Sequence, residues 1–255
     1  MNAPQKKIYF VSDIHLGNRY MPNTTEAEKK LVRWMDRIKN DAAAIYFLGD
    51  VFDYWYEYKY VVPRGHVRFL GKLAELSDLG IEIHLLTGNH DIWMFDYLPA
   101  ETGAVIHRKP FTVELFGKKF FLGHGDEVGY RPRSYRIIQR IFRNRICQFL
   151  YVTIHPRWTF GFARRWSLNS RKNGLAAKEQ LERRQASSAK HLEAFAESYL
   201  QTHPDIDFFM FGHLHVLLDK KLSPAEARLL ITGDWMQHFS YAEWDGDKLE
   251  LKTFL

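Results

Sequence analysis

At 255 residues, 46% hydrophobic and 15% aromatic, the chain is long enough for one sizeable core and need not be more than one domain. A single cysteine, Cys147, excludes an intramolecular disulfide framework and fits a reducing compartment; on an apolar helical face it reads as a small buried hydrophobe. No stretch approaches the roughly 18 apolar residues of a membrane span, and Lys6-Lys7 run straight into a strand ending at Asp13. The expectation is therefore a cytoplasmic chain without a secretory leader, either soluble or lying on a surface.

In chain order, strands and helices alternate. A strand over 7–12 leads to a helix over about 24–39, where Thr24 or Thr25 can cap and Leu31, Trp34, Met35 and Ile38 form an apolar stripe. A strand at 44–48, a helix at about 65–78 and a strand at 82–86 follow. Strands at 111–116 and 119–123 read as a hairpin turned at Gly117-Lys118. From about 131 to 200 the strand pattern stops and helices take over. The first places Ile138, Phe142, Ile146, Phe149 and Leu150 at helical spacing; the last runs from about Leu175 to Leu200, striped by Leu181, His191, Leu192, Phe195 and Tyr199. Strands return at about 207–211, 216–222, 228–232, 238–244 and 248–253, with Asp245-Gly246 as a hairpin turn. The expected fold class is α/β (α+β): a two-layer β-sandwich flanked by helices, αββα, forming one domain over 1–255 with residues 131–200 inserted as a helical cap.

Five short stretches stand at the ends of apolar runs. They are Asp13-Ile14-His15, Gly49-Asp50, Gly88-Asn89-His90-Asp91, Gly123-His124-Gly125-Asp126 and Gly212-His213-Leu214-His215. Open α/β sheets place their sites past the C-terminal ends of strands. A glycine there lets the chain turn sharply and aim a side chain into a shared crevice. Asp, His and Asn offer hard oxygen and imidazole nitrogen donors. With no thiolate among them, they suit Mn, Fe, Zn or a similar divalent ion and argue against a structural zinc site. Two such cations, about 3.5–4 Å apart and bridged by a carboxylate, can clamp a phosphate and supply a nucleophile at neutral pH.

In order, spacing and residue type these blocks resemble the calcineurin-like metallophosphoesterase superfamily. The resemblance implies a first metal held by Asp13, His15, Asp50 and His215 and a second held by Asp50, Asn89, His124 and His213, with Asp50 bridging. It implies that His90 is no ligand but faces the scissile phosphate, with Asp91 orienting it. The implied cofactors are two divalent ions, Mn2+ first, with Fe, Zn or Mg as alternatives, because such donor sets accept several ions.

The insertion carries the charge of the whole chain. Residues 131–172 hold eleven Lys or Arg and no Asp or Glu. The chain is +6 overall; outside that segment 25 Lys or Arg face 30 Asp or Glu, a net of −5. Arginines beside aromatic and aliphatic faces suit an anionic lipid surface. The runner-up is a strand-binding groove in a nuclease or nucleotide phosphodiesterase, since basic residues interleaved with aromatics also hold single strands; the amount of aliphatic surface weighs against nucleic acid.

Several features together resemble the UDP-2,3-diacylglucosamine diphosphatases of lipid A synthesis. They are Gly49-Asp50-Val51-Phe52 with Trp55 shortly after, His124-Gly125-Asp126 followed by a basic helical insertion, Ser170 and Lys172 near its end, and Gly233-Asp234-Trp235. The resemblance implies hydrolysis of a lipid-linked sugar nucleotide at the inner face of the inner membrane, with no obligate protein partner. It implies substrate contacts from Asn89, His90, Arg164, Arg165, Ser170, Lys172 and His213, and an acyl-chain chamber walled by Phe142, Phe149, Phe160 and Trp166. His90 departs from the Arg of the best-known branch but keeps the general superfamily form.

Overall fold

A computed structural model describes residues 6–18, 23–129, 133–156, 158–159, 161, 178–223 and 226–255, of 178–184 the backbone only. The first half alternates β1 (Lys7–Val11), α1 (Thr24–Ile38), β2 (Ala42–Phe47), α2 (Val67–Asp78), β3 (Glu82–Leu86), α3 (Tyr97–Thr102) and β4 (Val105–His107). Next come the hairpin β5 (Phe111–Leu115) and β6 (Lys118–Leu122), then helices α4 (Arg133–Arg143), α5 (Arg145–Val152) and α6 (Lys178–Leu200). Strands β7 (Phe208–Phe211), β8 (Leu217–Lys221), β9 (Arg228–Thr232), β10 (Ser240–Trp244) and β11 (Leu249–Thr253) finish the chain.

Two mixed sheets result, ordered β11-β10-β1-β2-β3-β4 and β5-β6-β7-β9-β8. Strands β1 to β4 pair in parallel, which requires crossovers, and α1, α2 and α3 supply them. Alternation along each strand then separates the layers. Tyr9 and Val11 of β1 face Leu31 and Trp34 on the helical side, while Ile8 and Phe10 face Phe120 and Met210 of the second sheet. Phe10 and Phe120 stack between the sheets with ring centroids 5.5 Å apart. In β7, Phe208 and Met210 point into that interior, and Phe209 and Phe211 point outward onto Leu192, Ala196 and Leu200 of α6. Each such side chain contributes about 1.5–3 kcal/mol on burial. Two sheets flanked by helices are the layers the sequence predicts.

The structure corrects the reading in several places. Asn23, not Thr24 or Thr25, caps α1: its side-chain oxygen accepts from the Glu26 N–H at 3.2 Å, because both threonines already lie within the helix. The short α3 and β4 carry too little periodicity to be seen in sequence. The single helix expected through Ile138 and Leu150 is two, broken at Asn144, whose side chain accepts from the Ile146 and Cys147 N–H groups and starts α5. Cys147 is half-buried rather than buried. The segment expected as a cap to residue 200 ends in a helix that packs on the second sheet.

The helices α4 and α5 contribute no buried residue. They sit on the loops that follow the sheet rather than on the sheet itself. Tyr56, Ile92 and Trp93 form a small buried cluster against which Phe142 and Tyr151 pack. Trp93 Nε1 donates to the Phe142 carbonyl at 2.9 Å and Tyr56 OH to the Gln148 carbonyl at 3.0 Å. Gln139 Nε2 and Tyr135 OH donate to Asp126 Oδ2 at 2.6 and 3.1 Å. Among the described residues no helix is long and apolar enough to cross a membrane.

Candidate metal centre

Each of the five sequence blocks emerges at the end of a strand or in the loop directly after it, and the two sheets bring them to one crevice. The backbone bends sharply there. Asp13, His15, Asp50, His213 and His215 all have positive φ, between 48° and 67°, a region L-residues enter at a cost of about 1–3 kcal/mol each. The adjoining glycines make room. A Cβ on Gly88 would collide with the Asp50 carboxylate, and one on Gly212 would come within 2.5 Å of Asp13 Oδ2.

Three groups of ligand-type side chains form, His15 with Asp53 and His90 and, carrying the expected ligands, Asp13 with His15 and His215 and Asp50 with His124 and His213. In each, ligand atoms lie within 4.8 Å of one another. Asp50 faces both of the latter: its Oδ2 is 3.7 Å from His15 Nε2 and 3.4 Å from His124 Nε2. Asn89 joins the Asp50 group, with Oδ1 3.3 Å from His124 Nε2. Every residue expected as a ligand is therefore in the crevice.

Hydrogen bonds set the aim of these groups. His124 Nδ1 donates to the Leu48 carbonyl at 2.8 Å, which turns Nε2 toward Asp50. Asp13 Oδ2 accepts from Ser12 Oγ at 2.5 Å and from the His213 N–H at 2.8 Å. Its Oδ1 is buried with no hydrogen-bond partner among the described residues, 3.6 Å from His215 Nε2. His215 Nδ1 lies 3.4 Å from Asp234 Oδ2, and Asp234 Oδ1 accepts from the N–H groups of Met236, Gln237 and His238.

The buried carboxylates and imidazoles hold one another's charge. Burial drives the Asp13 carboxyl upward and outweighs the histidines beside it. Burial also pushes Asp50 up, but His124, His90 and His15 overcome it and hold Asp50 well below the usual carboxylate range. His124 is the counterpart: burial lowers it, yet Asp50 raises it well above an ordinary histidine. Asp234 lies at about 2, because His215 and backbone N–H donors outweigh its burial. A crevice of buried carboxylates that draws imidazolium charge to itself, with an orphaned oxygen on Asp13, fits divalent cations.

Asp91 does not orient His90. Its Oδ2 accepts from the N–H groups of Val51 and Phe52 at 2.7 and 3.2 Å, and its Oδ1 from Gly88 N–H at 2.8 Å. It staples the Asp50 loop to the Asn89 loop. Burial and the neighbouring Asp50 push its carboxyl up to about 7. His90 is held instead by Asp53, whose backbone carbonyl accepts from Nδ1 at 2.9 Å and whose Oδ1 is 3.9 Å away. A carbonyl can only accept, so Nδ1 carries the proton. Sequence reading missed Asp53 and gave Asp234 no role. The available signals were the Asp50-x-x-Asp53 spacing and a second polar residue, Asp234, just past a buried strand.

Of the expected substrate and chamber residues, Asn89, His90 and His213 line the crevice. Phe142 packs on Trp93 with ring centroids 5.3 Å apart, so it anchors the insertion to the sandwich. Phe149 stays 70% exposed. Phe160, Arg164, Arg165, Trp166, Ser170 and Lys172 lie outside the described residues.

The family profile for calcineurin-like phosphoesterases matches residues 6–217. The chain belongs to the calcineurin-like phosphoesterase family. As a member it is a hydrolase that works with divalent metal ions. A Porphyromonas gingivalis protein named UDP-2,3-diacylglucosamine hydrolase is 49% identical over 258 residues, covering 98% of each chain. A Ralstonia nicotianae protein of the same name is 29% identical over 82% of this chain and 76% of its own. Among solved structures, the phosphoesterase Yfce from E. coli is 16% identical with a TM-score of 0.48, covering 97% of this chain and 93% of that one.

Proposed function

We propose that this phosphoesterase hydrolyses the pyrophosphate bond of UDP-2,3-diacylglucosamine, giving UMP and 2,3-diacylglucosamine 1-phosphate. The observation that carries the chemistry is Asp50, one carboxylate oxygen facing two clusters of ligand-type side chains. The full-length relative at 49% identity supports the substrate. Asp13, His15, Asp50 and His215 would hold one cation, and Asp50, Asn89, His124 and His213 the other, with Mn2+ the first choice. When bound, such a pair polarises the phosphate and supplies the attacking nucleophile.

The protein's own groups do the rest. With Nδ1 donating to the Asp53 carbonyl, His90 presents Nε2 to the substrate, where it stabilises developing charge or protonates the leaving oxygen. Asn89 and His213 position the phosphates beside it. Helices α4 and α5 contribute acyl-chain contacts and rest on the inner membrane face. Their described cations, Arg133, Arg136, Arg140, Arg143 and Arg145, have no acidic residue among them, which suits anionic headgroups. Incubating the purified chain with UDP-2,3-diacylglucosamine and Mn2+ should release UMP, and chelator should stop it. Absence of UMP with both present would overturn the substrate, while hydrolysis of single-stranded nucleic acid instead would favour the strand-binding reading.

A further inference from the structure

The basic, apolar character of the insertion recurs on the sandwich itself. The loop leaving the Asp50 strand end, residues 59–67, exposes Tyr60 by 84% and Val67 by 75%, with Val61 also exposed. Lys59 and Arg64 are exposed in the same loop, Lys59 Nζ lying 5.0 Å from the Tyr60 ring, and neither pairs with a carboxylate among the described residues. No Asp or Glu occurs from 58 to 74. The loop is tied to the insertion. Tyr58 OH meets Thr159 Oγ1 at 2.5 Å, and Tyr58 N–H donates to the Val61 carbonyl at 3.0 Å, closing the turn that presents Tyr60. Next to Thr159 stands Trp158, 71% exposed. Exposed apolar side chains, and cations with no carboxylate partner among the described residues, thus lie together on the loop that follows the Asp50 strand end, tied to the insertion next to Trp158.

We propose that residues 59–67 are a second lipid-docking surface, built into the sandwich, which with Trp158 seats the protein on an anionic bilayer. The proposal rests on the membrane reading given above but adds a surface outside the insertion. Its occupant follows from charge. An uninterrupted cationic stretch gains from anionic headgroups, and Tyr, Trp and Val suit the interfacial zone beneath them. Two anchor points, one on the insertion and one on the body, fix the mouth of the crevice relative to the bilayer; one anchor alone leaves it free to tilt.

The test is co-sedimentation of the whole chain with vesicles of phosphatidylcholine mixed with phosphatidylglycerol, and with neutral phosphatidylcholine vesicles. Lys59→Glu with Arg64→Glu should weaken binding to the anionic vesicles by about 30-fold or more, the loss expected for two surface cations. Tyr60→Ser with Val67→Ser should weaken it by about tenfold. Both variants should hydrolyse a small phosphodiester at the parental rate, which confirms that they fold. If Phe149→Ser with Leu150→Ser loses binding while both loop variants bind like the parent, membrane docking stands and this surface does not. If the parent binds neither vesicle, the membrane reading and this proposal both fail. A parent that dimerises, with the dimer lost in the loop variants and vesicle binding intact, would assign the loop to a second copy and overturn the proposal.

Discussion

Phe208 to Phe211 and Phe142 to Leu150 are both rich in apolar side chains, yet the fold uses them in opposite ways. In β7 every residue is buried, sorted by alternation between the sheet interface and the α6 face. In α4 and α5 none is buried, and Ile141, Ile146, Phe149 and Leu150 remain exposed. Strand β7 consumes its apolar surface in making the sandwich stable. Helices α4 and α5 leave apolar surface unspent and attach through a few hydrogen bonds and the Trp93 cluster. Surface left over after folding is available for a ligand, so stability and substrate recognition should separate between the two regions.

The largest effect should come at the centre the sandwich holds. Asp50→Ala removes the shared carboxylate and should abolish turnover, with metal content falling in the purified variant; substantial activity with added Mn2+ would sink the two-metal reading. His90→Ala comes next. It should keep its metals and lose about 10²–10⁴ in rate, whereas metal loss would make His90 a ligand. Glu57→Ala tests the body. That buried carboxylate accepts from Trp55 Nε1 and from the N–H groups of Phe95, Asp96 and Tyr97. Losing it leaves four donors without that partner, the buried Trp55 Nε1 among them, and should cost about 1–3 kcal/mol, read as a drop in Tm. Phe149→Ser with Leu150→Ser should move stability least, within about 0.5 kcal/mol. It should still depress turnover of the diacylated substrate while sparing a small phosphodiester. Equal losses on both substrates would erase the contrast between the regions.

The sandwich was legible because buried strands announce themselves twice, by apolar runs and by the Gly or polar residue ending each. The residues expected as ligands could be read because each sits directly after such a run. What surrounds them could not be read so easily. His90 and Asp91 are neighbours in sequence, yet one ring opens to the crevice and the other side chain turns inward to backbone N–H groups. Nothing in the residue types distinguishes those directions. The break at Asn144 was hidden for a related reason: a single non-helical residue barely disturbs the apolar spacing on either side. Asp234 acts through His215, and a role exercised through another side chain leaves no pattern of its own.

The five positive φ angles at the centre have a thermodynamic corollary. Asp13, His15, Asp50, His213 and His215 hold a backbone geometry that only glycine adopts without penalty, so the folded chain carries a concentrated backbone cost where its chemistry resides. An ion that binds only the folded form shifts the folding equilibrium by mass action. The melting temperature should therefore climb with divalent-ion concentration, and depletion of the ion should expose the protein to unfolding before any part of the core has been altered.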